Sequence, residues 1–199
     1  HKDDKNIKSF SRKVFMLVVG IDGGITIDGG MGVSVVDTEP LSVQFAETVT
    51  PLLTGTKGRS WEARLDAGLF WLETWLKAGP YAGQIVLLAY ETAWIGGNPQ
   101  VGLKLSTLTG GLRVLARQHG MSAIGVAPSQ AKVALTKNHK ADKDEMRCTA
   151  RRLFGKTLIR SYHEADAVGV ALAGEAIHRR SEGALTGIQA SGTARAALK

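Results

Sequence analysis

Residues 16–24 read MLVVGIDGG. A short apolar run leads to one aspartate, and two glycines follow at once. Leu17, Val18, Val19 and Ile21 favour extended structure, and a continuous apolar run of this length suits a strand buried on both faces. A carboxylate inside such a strand would be costly without a partner. Asp22 therefore ends the strand. It is either a turn residue, as Asp-Gly commonly is, or an acid held at the sheet edge for chemistry.

Outward from this strand, the pattern first stays extended. Residues 25–32 read as a glycine-rich loop, 33–36 as a second strand and 43–49 as a third, with the turn at 37–40. Strands joined by short connections make an antiparallel meander. Residues 50–59 read as a loop. The period changes at Ser60: Trp61, Leu65, Leu69, Leu72 and Leu76 recur at helical spacing, with Ser60 as N-cap and Gly79-Pro80 as the stop. QIVLLAY (84–90) is a second buried strand, and it runs straight into Glu91. Residues 96–99 form a loop, 103–118 a helix, 123–127 a fifth strand and 129–135 a short helix opened by Pro128. A polar loop at 136–142, a charged helix at 142–154 and an Ala- and Val-rich helix at 162–178 complete the order. The pattern predicts an α/β fold in which a mixed five-stranded sheet, three antiparallel strands and then parallel ones, carries helices on both faces. Residues 1–15 are expected to be a tag, linker or extension outside a domain at 16–180, and residues 181–199 a mobile tail.

The chain has 199 residues, enough for one sizeable core, and a formal net charge of +7. That balance favours a polyanionic partner, nucleic acid before membrane. One cysteine, Cys148, excludes an internal disulfide framework and a cysteine-rich zinc site, and fits a reducing compartment. No apolar run reaches the length of a membrane span.

Two acids occupy comparable places, Asp22 after the first strand and Glu91 after the fourth. If those strands are neighbours, the two side chains share a site. A third acid, Asp166, lies three residues after His163 on one helical face. His163 also reads as an ordinary residue of a helix start, and Glu164 as compensation of the helix dipole in the first turn. Clustered carboxylates repel one another unless cations lie between them. Mg²⁺ takes oxygen ligands at phosphate-processing sites, and two such ions about 3.5–4 Å apart activate water and stabilise a leaving oxygen. An Asp, Glu, His and Asp group on a basic protein thus points to metal-dependent phosphodiester hydrolysis. Lys132, Lys137, Lys140, Lys143, Arg147 and Arg151 supply the positive charge, although a solvated helix face explains such a run equally well. Trp94, in the glycine-rich loop after Glu91, either caps the core or offers a stacking surface to an unpaired base.

The chain resembles the RuvC-type Holliday junction resolvases of the RNase H-like superfamily from about residue 16 to 179. VVGIDGG is similar to the family's first-strand motif, with Gly23 where proline is usual. YETAW followed by NPQVGLKLSTLTGGL is similar to its second motif. APSQAKVALTKNHKADKDEM resembles its lysine-bearing segment, and HEADAVGVALA its closing acidic helix. The four stand in the family's order and spacing. The resemblance implies an RNase H-like sheet and a homodimer that faces one four-way junction with two sites. It implies symmetric nicks with 5′-phosphate ends. It also implies Mg²⁺, or Mn²⁺ in its place, as two ions per site held by Asp22, Glu91, His163 and Asp166. Trp94 would stack at the opened junction centre, and Lys132 and Lys143 would meet phosphate near the cut. No membrane and no nucleotide cofactor are expected. His163 stands where many members carry Asp, and Asn138-His139 interrupts a glycine-rich loop. Three other readings compete: a nuclease for flaps or forks, an actin-like ATPase half for which the chain has no duplicate domain, and a junction binder without cleavage.

Overall fold

The computed structural model describes residues 16–23, 30–49, 60–92 and 99–196, and the side chains of the last helix to Glu182. The expectations for residues 1–15, for the loop at 50–59, for most of the loops at 25–32 and 96–99, and for Trp94 lie outside the described residues. Five strands are β1 (Leu17–Asp22), β2 (Met31–Thr38), β3 (Leu41–Val49), β4 (Ile85–Glu91) and β5 (Ser122–Val126). Five helices are α1 (Trp61–Ala78), α2 (Pro99–Gln118), α3 (Pro128–Thr136), α4 (Lys143–Phe154) and α5 (Tyr162–Ala196). Among the described residues, no helix is long and apolar enough to cross a membrane.

The sheet order is β3-β2-β1-β4-β5. β1, β2 and β3 pair antiparallel, while β4 and β5 add in parallel. The mixed sheet follows from the sequence order, because meander strands reach each other through short turns while β4 and β5 each arrive through a helix. The α1–α2 layer covers one face, where Val19, Ile21, Val33, Val35, Leu88 and Tyr90 meet Leu65, Leu72 and Leu112. The α3–α4–α5 layer covers the other, where Val18, Val36, Leu87 and Ala89 meet Met146, Ala165, Val168 and Ala171.

Several predicted ends move outward. β2 and β3 are longer than expected: Met31 and Gly32 pair with Val49 and Thr48 and carry β2 into the predicted loop, while Leu41 and Ser42 pair with Thr38 and Asp37 and start β3 earlier. α2 begins at Pro99 rather than at 103, because proline is well suited to a first helical position, where its missing N–H has no partner to lose. The largest correction is α5, whose helical pattern ends at His178 in the sequence while the backbone stays helical to Ala196. Residues 181–196 contain four alanines and no proline, so no residue there forces a stop. The predicted cap of α1 is present: the Ser60 hydroxyl accepts the Ala63 N–H at 3.3 Å.

Candidate active site

Period-two alternation decides where the strand-end acids point. In β1, Val18 faces the α5 side while Val19 and Ile21 face α1 and α2. Asp22, four residues after Val18, therefore emerges on the α5 side. The same count along β4, from Leu87 through Ala89, brings Glu91 out on that side too. β1 and β4 are adjacent and parallel, with Ile21 beside Tyr90, so the two acids leave neighbouring strand ends together.

α5 supplies the other two groups, and glycine sets how near it comes. A Cβ on Gly20 would lie 2.1 Å from the Ala167 carbonyl oxygen, and one on Gly32 would lie 2.1 Å from that of His163. Only a residue without a side chain allows this backbone-to-backbone approach. The result is direct contact across 141 residues of sequence: His163 Nδ1 stands 2.6 Å from Asp22 Oδ2. The two side chains are only 28% and 14% exposed, respectively. Asp166, one helical turn on, faces the same cleft.

The cleft has a volume of about 260 Å³ and is lined by Asp22, Glu91, His163 and Asp166 together with Lys132 and Lys143. The sequence thus predicted six of its lining residues. Burial, with the negative charges of Asp22 and Asp166, raises the Glu91 carboxyl to about 7. Burial and Asp22 raise Asp166 to about 6. The hydrogen bond to Asp22 raises His163, against the opposing effect of burial. Lys132 and Lys143 pull both carboxyls back toward ionisation, which places their charges beside the acids.

The donor set, three carboxylates and an imidazole in one cleft, has the chemistry of a hard divalent-ion site. Burial first, and the neighbouring negative charge second, hold Glu91 and Asp166 toward their protonated forms, a state a bound cation would relieve. As the side chains stand, no group of three or more His, Cys, Asp or Glu among the described residues converges to hold an ion.

The remaining predicted residues lie elsewhere. Lys137 caps α3 in a left-handed conformation and lines a separate groove with His139 and Arg180. Lys140 is exposed beyond it. Arg147 pairs with Asp144 at 3.1 Å and stacks on Tyr162, with its guanidinium carbon 4.0 Å from the ring centroid. Arg151 donates to the carbonyls of Ile159 at 2.8 Å and Arg160 at 2.7 Å, so its guanidinium ties the end of α4 to the start of α5. Two residues were underread. Asp142 lines the cleft and caps α4 by accepting the Glu145 N–H at 2.7 Å. Glu164 does stand in the first turn of α5, and it is also buried and forms a capping box with Ser161. The spacing Ser161-x-x-Glu164 was the available signal.

A family model described as crossover junction endodeoxyribonuclease RuvC matches residues 18–174. A protein of that name from Prosthecochloris aestuarii is 35% identical over 86 residues, 43% of this chain and 46% of the relative. One from Anaeromyxobacter sp. strain K is 37% identical over 82 residues, 41% of this chain and 44% of the relative. The chain thus spans about half the length of the curated relatives it matches. Among solved structures, Thermus thermophilus RuvC in complex with a Holliday junction substrate superposes with a TM-score of 0.64 at 24% identity, over 83% of this chain and 96% of that one. The T. thermophilus protein in a second structure gives a TM-score of 0.62 at 24% identity, over 83% and 97%. These superpositions show a shared fold.

Proposed function

The chain belongs to the family of crossover junction endodeoxyribonucleases named RuvC, and on that premise we propose that it is a metal-dependent endonuclease that resolves four-way DNA junctions by paired symmetric nicks. The observation that carries this reading is the meeting of Asp22, Glu91, His163 and Asp166 with Lys132 and Lys143 in one cleft. Asp22, Glu91 and Asp166, with His163 beside them, would hold divalent cations, Mg²⁺ or Mn²⁺ and two per site. When bound, such ions supply an activated water and stabilise the leaving oxygen of an in-line displacement at phosphorus.

The chain's own residues supply the rest. Lys132 and Lys143 bring positive charge to the cleft wall, where a backbone phosphate beside the acids needs a counter-charge. A proton on His163 Nδ1, donated to Asp22, leaves Nε2 as a base for the attacking water. The raised affinity of His163 for a proton suits that role. Trp94 would stack on an unpaired base at the junction centre. The products would be nicked duplexes carrying 5′-phosphates.

Two nicks placed symmetrically require two sites, and a second copy of this chain would provide the other. The outer face of α1 and α2 supports this, with Phe70, Leu103 and Val114 exposed by 70%, 63% and 58%. Phe70 and Val114 share one groove with Leu69 and Leu115, an apolar strip of the kind a twofold axis could pair with its own copy.

The test is cleavage of end-labelled DNA with and without Mg²⁺, on a mobile four-way junction, a flap and a linear duplex. Nicks at matching positions in two opposed strands of the junction, dependent on Mg²⁺, are the expected result. Cleavage of flaps in preference to junctions would replace the substrate, and a band shift without nicks would leave a binding protein.

A further inference from the structure

Glycine contacts set how deep α5 sits; where along the sheet its first turn begins is a separate requirement. That position decides whether His163 reaches Asp22. One row of the sheet carries the answer. Asp22 pairs with Gly32, and Gly32 pairs with Thr48, so the three residues stand side by side across β1, β2 and β3. α5 starts directly over this row. His163 bonds Asp22 at one end, and its carbonyl lies over Gly32 in the middle.

At the other end, the Thr48 hydroxyl shares a 2.5 Å hydrogen bond with the Ser161 hydroxyl and donates to Glu164 Oε1 at 3.3 Å. Glu164 Oε2 accepts the N–H groups of Arg160 at 2.5 Å and Ser161 at 3.0 Å, while the Ser161 hydroxyl accepts the Glu164 N–H at 3.1 Å. A carboxylate only 2% exposed, flanked by the catalytic candidates yet turned away from the cleft, is tolerated through these donors and the Arg160 guanidinium 3.6 Å from Oε1.

We infer that Glu164, clamped to Thr48 through Ser161, is a positioning residue that sets the first turn of α5 so that His163 meets Asp22. Thr48 and Asp22 then act as two fixed points of one sheet row, and the helix start is stretched between them. The catalytic consequence rests on the nuclease reading above, whereas the geometric consequence does not.

The experiment uses Thr48→Val, which keeps the branched shape and removes the hydroxyl, beside Glu164→Gln and Glu164→Ala. The first readout is the ¹⁵N chemical shifts of the His163 imidazole in protein free of divalent ions, with Asp22→Asn as the reference for a broken His163–Asp22 bond. Thr48→Val and Glu164→Ala should move both nitrogen shifts toward the reference, and Glu164→Gln, which keeps one acceptor oxygen, should move them least. The second readout is single-turnover cleavage of a four-way junction in Mg²⁺. Misplacement of a catalytic group by a fraction of an ångström should slow Glu164→Ala by about tenfold to 100-fold, with junction affinity unchanged and with partial rescue in Glu164→Gln. Unchanged imidazole shifts in both Thr48→Val and Glu164→Ala would overturn the inference, whatever happens to thermal stability. If the wild-type chain cuts no junction, the proposed reaction fails while the imidazole shifts still decide the clamp.

Discussion

On the α1–α2 face of the sheet, helices stand off on large side chains; on the other face, α5 touches the strands with its backbone. Trp75 of α1 gathers the rings of Phe45 from β3, Trp71 from α1 and Tyr81 from the turn after it, at centroid separations of 5.2, 5.9 and 6.1 Å. At Gly20, Gly32 and Gly174, by contrast, an added Cβ would lie 2.1 to 2.3 Å from an atom of the opposite element. The difference follows from what each face must do. A face that only buries area can use bulk, whereas a face that must bring an imidazole to 2.6 Å from a strand-end carboxylate has to remove side chains between the two backbones.

The sharpest way to break this contrast is Gly32→Val. The new side chain would have to displace the His163 carbonyl, a backbone atom, and the described geometry offers it no room. Loss of the cooperative fold, seen as a missing thermal transition in circular dichroism, is the expected outcome. A normally folded protein would show that α5 has slack over the sheet. Leu72→Ala tests the other face: it empties a fully buried site in the α1–α2 core and should cost about 2–5 kcal/mol in denaturant unfolding. Cleavage by the folded fraction should survive it, because no cleft residue is touched.

A change of pH probes the site without a mutation. Glu91 and Asp166 bind protons more tightly in the folded chain than in the unfolded one. Their contribution to stability is therefore full below about pH 4 and is lost as pH rises through about 6 and about 7. His163, also raised, acts in the same direction. Thermal unfolding without divalent ions should show a falling midpoint across that window, and Mg²⁺ should restore it at the alkaline end, where the carboxylates are ionised. A midpoint indifferent to Mg²⁺ at pH 8 would speak against a cation site. The smallest expected effect belongs to Gly110→Ala. Nothing lies within 4 Å of a Cβ there, on the exposed side of α2, so the helix should gain about 0.5–1 kcal/mol in the same denaturant experiment.

Most of the fold was legible because periodicity is a local property. VVGID alternates between the two layers, and Trp61 to Leu76 keeps a helical period that the structure reproduces. The pairing of strand ends was legible from Asp22 and Glu91 each closing an apolar run. The extent of α5 was not, since a low-complexity stretch of Ala, Gly, Ser and Thr carries no amphipathic signal at either period. The clamp on α5 was hidden for a different reason. Ser161 and Glu164 announce a cap locally, but Thr48 lies more than a hundred residues away, and only the register of β1, β2 and β3 puts it in the same row as Asp22. The separation of Lys137 from Lys132 and Lys143 was likewise invisible, because a run of lysines in sequence does not say that Lys132 lies within α3, Lys137 caps its end and Lys143 opens α4.

One measurement bears most directly on the account. An end-labelled mobile four-way junction is incubated in Mg²⁺ with the wild-type chain and with Asp22→Asn, and products and complexes are resolved on parallel denaturing and native gels. The account predicts symmetric nicks from the wild type, none from Asp22→Asn, and the same shifted complex from both. Nicks made by Asp22→Asn at the wild-type rate would contradict it.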